Sequence, residues 1–132
     1  MHDETSKELR TTLTSASKLE LSIVTVPMPE PREGEVLVRV EASPINPSDL
    51  GLLLGPADVS SLSITGSGDN TVASMDVPEA MMPAMQARLD AALPVGNEGA
   101  GVVIAAGAGA EHLVGQTIGV AGGAMYSQYR CV

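Results

Sequence analysis

Residues 34–55, "GEVLVRVEASPINPSDLGLLLG", decide the fold. In the first half Val36, Val38 and Val40 fall on one face, and Leu37, Arg39 and Glu41 on the other. A period of two is that of a β-strand with one buried and one largely wet face, as in antiparallel sheets and barrels. The second half turns from strand to helix. Asn46 followed by Pro47 is a good N-cap and first-turn pair, since the amide oxygen can accept a helix N–H and proline has its φ preset. Asp49 stands three residues on, where a carboxylate can bond back to the cap's own amide.

The flanks repeat this alternation of strands and breaks. Residues 1–18 are polar and rich in Thr and Ser, and are expected to form a flexible lead-in holding at most a first strand. "LELSIVTVP" at residues 19–27 has strand character, with Leu19, Leu21 and Ile23 alternating with Glu20, Ser22 and Val24. The prolines of "PMPEPREGE" force an extended exposed loop. Residues 55–75 are small, polar and rich in Gly and Ser, and read as a mobile excursion. In "DVPEAMMPAMQARLDAALP", at 76–94, Asp76 can cap a helix whose apolar face carries Val77, Met81, Met85, Leu89 and Ala92. Pro83 kinks that helix or delays its start. The methionines read as core packing, because Met fills irregular gaps. Glycines at 96, 99 and 101 read as backbone crowding at a bend. Short strands follow at 102–104, in "GQTIGVAGG" and in "AMYSQYRCV".

Composition bounds the function classes. The chain has 132 residues, 44% of them hydrophobic, enough for a domain with a real core. With two tyrosines and no Phe or Trp, that core is built from Val, Ile, Leu, Met and Ala. A net charge of -9 and no basic patch argue against nucleic-acid binding. No apolar run is long enough for a membrane span. A single cysteine, Cys131, excludes an internal disulfide and makes the cytoplasm the expected compartment. The chain stops at Val132 within apparent strand, which is expected of a piece of a longer polypeptide.

The familiar chemistries are thin. His2, His112 and Cys131 are scattered and no C-x-x-C exists, so a structural four-cysteine zinc site is excluded. G-x-S-x-G is absent, and the Gly-rich stretches do not fit G-x-G-x-x-G between a strand and a helix. Cys131 reads as a small core residue and His112 as a solvated loop residue.

The order of motifs is more telling. A Pro-rich loop, then "GEVLVRVEASPINPSDLGLLLG", then "LPVGNEGAGVVIAAGAGAEHLVGQTIGV", then "GGAMYSQYRCV" resembles the N-terminal half of the medium-chain dehydrogenase/reductase family. The closest likeness is to its zinc-independent quinone oxidoreductase branch. The resemblance covers residues 19–54 and 93–132, while 55–92 is longer than usual for the family and reads as an insertion. It implies a mainly β fold with short helices, a GroES-like partly open β-barrel spanning 19–132, with a Rossmann domain expected downstream. It also implies hydride transfer from NADPH or NADH, bound mainly by that missing domain, to a quinone or enone-type carbonyl compound. This chain alone is then expected to be inactive.

Residue by residue, zinc-dependent relatives place a Cys ligand where this chain has Asn46. They place a His ligand, in "GHE", where it has Asn97 in "GNE", followed by Glu98. Carboxamides are not the thiolate and imidazole that zinc prefers, so the resemblance implies no zinc. Asn46 is then the candidate hydrogen-bond donor toward substrate or nicotinamide ribose. Its role as a helix cap is compatible with that, and capping alone remains an alternative. Asp49, Leu52, Asn97 and Tyr126 are the other candidate cleft residues. Asp49 and Asn97 have ready structural readings, and Leu52 and Leu53 stand where many quinone reductases carry a Tyr. The expected partners are the small-molecule substrate and the missing Rossmann domain, with self-association of the fragment through the surface that domain would cover. The alternative function is a stand-alone GroES-like barrel that binds a partner protein without catalysis.

Overall fold

The computed structural model describes residues 5–132. The architecture is mainly β with short helices, and its strands lie in two open sheets rather than in one closed barrel. The chain divides into two compact units. Among the described residues, one holds residues 5–8, Thr25–Ile45 and Gly96–Val132; the other holds Leu9–Val24 and Asn46–Val95. No helix among the described residues is long and apolar enough to cross a membrane.

In the first unit, strand β3 (Val36–Ala42) is central. It pairs antiparallel with β7 (Glu98–Ala106) on one side and β9 (Tyr129–Cys131) on the other; β7 also pairs with β8 (Thr117–Ala121). The valine alternation that predicted β3 is real: Val36 and Val38 enter a core with Val103 and Ala110, while Arg39 and Glu41 are exposed. Leu37, at the alternate position of the strand, is buried as well. Crowding explains the glycines of β7. A side chain on Gly101 would run into the main chain of Arg39 opposite, and one on Gly99 would meet Ser43, Met125 and the Ala42 carbonyl at 2.8–3.0 Å.

The other sheet, most of whose residues belong to the second unit, runs in the order β4 (Asp58–Thr65), β5 (Val72–Asp76), β2 (Lys18–Pro27), β1 (Thr5–Leu13), β6 (Leu93–Pro94). The first strand that the lead-in allowed for is present, and one further expectation is corrected. Residues 5–13 of the expected lead-in are a strand whose buried residues include Thr11 and Leu13, since β-branched threonines suit a pleated, half-buried surface. Residues 1–4 of that lead-in, and with them His2, lie outside the described residues. The expected mobile excursion at 55–75 is a β-hairpin: β5 pairs with β2 from Lys18↔Asp76 to Ser22↔Val72, and β4 adds as the edge.

The expected amphipathic α-helix after Asp76 is also corrected. Asp76 ends β5 and forms an ion pair with Lys18 instead of capping a helix. The helix that follows, Glu79–Arg88, is 3-10 throughout, with Pro83 inside it. Proline has no N–H to donate inside the helix, and the period here is three residues per turn. Met82 and Met85 therefore face the core formed by Leu13, Leu19, Met75 and Val77, with Leu54, Ala57 and Leu89, while Met81 is exposed. The reading of the methionines as packing residues stands, with Met82 in the place expected of Met81.

Candidate functional site

The chain leaves β3 through Ser43, Pro44 and Ile45 and enters the 3-10 turn Pro47–Asp49, which continues as helix α1 (Leu50–Leu53). Asn46 occupies the N-cap in extended conformation. Its backbone N–H donates to Asp49 Oδ2 at 2.7 Å, and the Asp49 N–H donates to the Asn46 carbonyl at 2.9 Å. Asp49 is only 2% exposed and its Oδ1 is buried without a hydrogen-bond partner. The carboxylate thus fixes the cap from within, and the capping-box arm expected of Asp49 is present. Asn46 and Leu52 are half-buried, and Leu53 is buried.

The C-terminal end of α1 is held by a residue that the sequence reading overlooked. Arg88 Nη1 donates to the Gly51 carbonyl, and Nη2 to the Leu52 carbonyl and to Thr11 Oγ1, each at 3.3 Å. Burial pushes the Arg88 guanidinium below its ordinary value. The signal was there to find: Arg88 is the only Lys or Arg between Arg39 and Arg130.

Asn97 and Tyr126 lie in the other unit from Asn46, Asp49 and Leu52. Asn97 is exposed, and its carbonyl accepts the Gly122 N–H at 2.8 Å. Tyr126 is half-buried and its hydroxyl donates to the Pro44 carbonyl at 2.9 Å. Its ring lies against Gly96, which has φ +99° and whose absent Cβ would stand 2.7 Å from Tyr126 Cδ1. His112 is exposed, and its carbonyl accepts from the Gln116 side chain. Burial, with Glu35 adding repulsion and Arg130 opposing it, pushes the Cys131 thiol up.

A metal ion would find little to hold here. Among the described residues no three His, Cys, Asp or Glu side chains gather closely enough to bind one. The residues at the two positions in question are carboxamides, whose neutral oxygen is a poor substitute for thiolate or imidazole toward zinc. Asn46 and Asn97, each taken singly, are therefore poor zinc ligands.

No family model matches the chain. Over a 32-residue stretch, 24% of this chain and 10% of the relative, it is 56% identical to a zinc-type alcohol dehydrogenase-like protein of Schizosaccharomyces pombe. Among solved structures it is similar to a protein of Mesorhizobium loti provisionally named an NADPH:quinone reductase. That match has a TM-score of 0.58 at 20% identity, over 100% of this chain and 35% of that one. It is also similar to the quinone oxidoreductase of Coxiella burnetii, with a TM-score of 0.57 at 18% identity, over 97% of this chain and 34% of that one. The chain thus spans about a third of the length of these structures. The likeness establishes the fold as an open, GroES-like, mainly β domain with short helices.

Proposed function

We propose that this chain is the catalytic-domain portion of a zinc-independent, NAD(P)H-dependent oxidoreductase acting on a quinone or enone-type carbonyl compound. The observation that carries this reading is Asn46, a carboxamide fixed by Asp49 at the N-cap of the short helix after β3. The fold, shared with structures named as quinone reductases, supports it. So does the missing ligand set among the described residues. The zinc-type name of the Schizosaccharomyces pombe relative does not transfer to this chain, because carboxamides stand at positions 46 and 97.

When bound, mainly by a Rossmann domain that this reading places downstream, NAD(P)H would supply a hydride and be oxidised, and the enone would take up that hydride and a proton. Negative charge develops on the carbonyl oxygen as the hydride arrives, and a donor aimed at that oxygen lowers the barrier. Asn46 supplies amide N–H donors for this task. Asp49 keeps the residue in place by taking its backbone N–H, and Leu52, in the same unit, contributes apolar surface. Asn97, in the other unit, is by the resemblance a neutral carboxamide where a zinc-dependent relative would have imidazole. The chain lacks the dinucleotide fingerprint, so it is inactive until joined to a domain that has one.

A second reading, a non-enzymatic protein-binding module, is favoured by one observation: β4 is an edge strand that exposes Val59, Leu62 and Ile64. Joining the chain to a quinone-reductase-type Rossmann domain and following NAD(P)H consumption with a quinone and an enone separates the two. Turnover that falls about 10²-fold or more in Asn46→Ala supports the oxidoreductase. No turnover with any such domain refutes it.

A further inference from the structure

We propose that Arg88 is a positioning residue: reaching out of the 55–92 segment, it clamps the C-terminal end of the helix whose N-cap is Asn46. The reasoning starts from the carbonyls that a helix leaves unpaired at its end. In α1 the Leu50 carbonyl accepts from Leu54 and Gly55, at 2.9 and 3.0 Å, and the Leu54 carbonyl accepts from Ala57 at 3.0 Å. Between them, the Gly51 and Leu52 carbonyls are taken by Arg88, 36 or 37 residues away in sequence. The same guanidinium reaches Thr11 Oγ1 on β1, and Thr11 is fully buried. Arg88 therefore ties the helix to the sheet of its own unit.

The surroundings are shaped for that group. Gly55 ends the helix at φ +51°, and a Cβ there would stand 3.3 Å from the Gly51 carbonyl and 3.6 Å from Arg88 Nη1. The guanidinium is held by neutral acceptors, with its Nε buried and unpaired. An apolar side chain would fill this volume without leaving a buried donor unpaired, so packing alone does not select arginine. A planar fork that serves two carbonyls and a hydroxyl together does, and lysine, a point donor on a flexible stem, cannot reproduce it. Asn46 caps the 3-10 turn Pro47–Asp49, which runs on into α1, so Asn46 and Arg88 sit at opposite ends of one short helical segment. Freedom at the Arg88 end passes directly to the Asn46 end.

The clamp itself stands on geometry alone, whereas its effect on turnover rests on the function proposed above. Two readouts keep these apart. In the full chain, Arg88→Ala is expected to speed amide hydrogen exchange at Leu54 and Gly55 about tenfold, leaving Val103 in β7 unchanged. Arg88→Lys recovers part of the protection, and serves as the test variant if Arg88→Ala does not fold. Unchanged exchange at Leu54 and Gly55 in a folded variant overturns the clamp. In the chain joined to a Rossmann domain, Arg88→Ala is expected to lower kcat about tenfold with little change in KM for NAD(P)H, and to add nothing in an Asn46→Ala background. Losses that multiply in the double variant overturn positioning through Asn46. A wild-type joined protein that consumes no NAD(P)H refutes the oxidoreductase reading and the catalytic consequence of Arg88, and exchange still decides the clamp.

Discussion

The Tyr126 hydroxyl donates to the Pro44 carbonyl at 2.9 Å, so the last turn before β9 is tied to the segment that leaves β3. The ring reaches that place because residue 96 has no side chain. A Cβ on Gly96 would stand 2.6 Å from the Tyr126 backbone nitrogen and 2.7 Å from Cδ1, and φ there is +99°. Gly96→Ala meets both the steric and the conformational penalty and is expected to cost about 2–4 kcal/mol. Tyr126→Phe removes only the hydroxyl and is expected to cost about 1 kcal/mol. Urea unfolding of the two variants checks the order: a Gly96→Ala variant as stable as Tyr126→Phe removes the steric argument.

Asp49→Ala deletes the acceptor of the Asn46 N–H. The expected loss is about 1–2 kcal/mol, in the range of a lost helix cap, with local loosening of residues 46–53. A shift of the denaturation midpoint at unchanged slope measures it. Asp49→Asn keeps one acceptor oxygen and is expected to lose less than Asp49→Ala.

Cys131 is held above its ordinary value chiefly by burial, so at mildly alkaline pH it presents less thiolate than an unfolded chain does. Alkylation by iodoacetamide is expected to be slower in the folded chain than in urea at the same pH. A raised value also means that the folded state holds this proton more tightly. The resulting contribution to stability is complete below the unfolded value and is lost as pH rises through the folded one. The loss therefore begins near the ordinary value of 9.0 and continues above it. Cys131→Ser flattens that part of the stability profile, and an unchanged alkaline limb contradicts the assignment.

At the free edge of its sheet, β4 carries Ile64 with 65% of its surface exposed, along with Val59 and Leu62, and Asp58 is the strand's one charge. Uncharged edge strands pair with other chains unless blocked. Ile64→Lys is expected to raise the concentration at which the chain stays monodisperse by light scattering, with little change in its unfolding midpoint. Equal association in both proteins places the sticky surface elsewhere.

How much of this could be read from the residues follows from which signals are local. The Val36, Val38 and Val40 alternation and the Asn46-Pro47-Ser48-Asp49 turn carry their own geometry, and both are as expected. The glycines of β7 were legible as crowding because only close backbone approach calls for so many in a strand. β1 was legible only as an allowance for a first strand in the lead-in, because its inward positions include Ser6 and Thr11 and an apolar count finds no stripe. The hairpin at 58–76 was missed for a related reason: β4 is polar and exposed almost throughout, and β5 is a strand because β2 pairs with it. For residues 79–88 the apolar spacing matched an α-helix, yet the segment with Pro83 is a 3-10 helix in which Met82 takes the place expected of Met81, while Met85 and Leu89 face the core as expected. Arg88 was overlooked because its partners lie 36 to 77 positions away. No spacing rule reaches that far, and only its isolation among neutral and acidic residues marked it.

The central proposal is that Asn46, a neutral amide, supplies the hydrogen bond to the developing oxyanion, and that no zinc ion is held where zinc-dependent proteins hold one. The most direct test is the zinc content of the protein purified without chelator from zinc-supplemented cells and measured by mass spectrometry. The account predicts only trace zinc, unchanged in Asn46→Ala and Asn97→Ala. Stoichiometric zinc that survives dialysis and disappears in those two variants would contradict it.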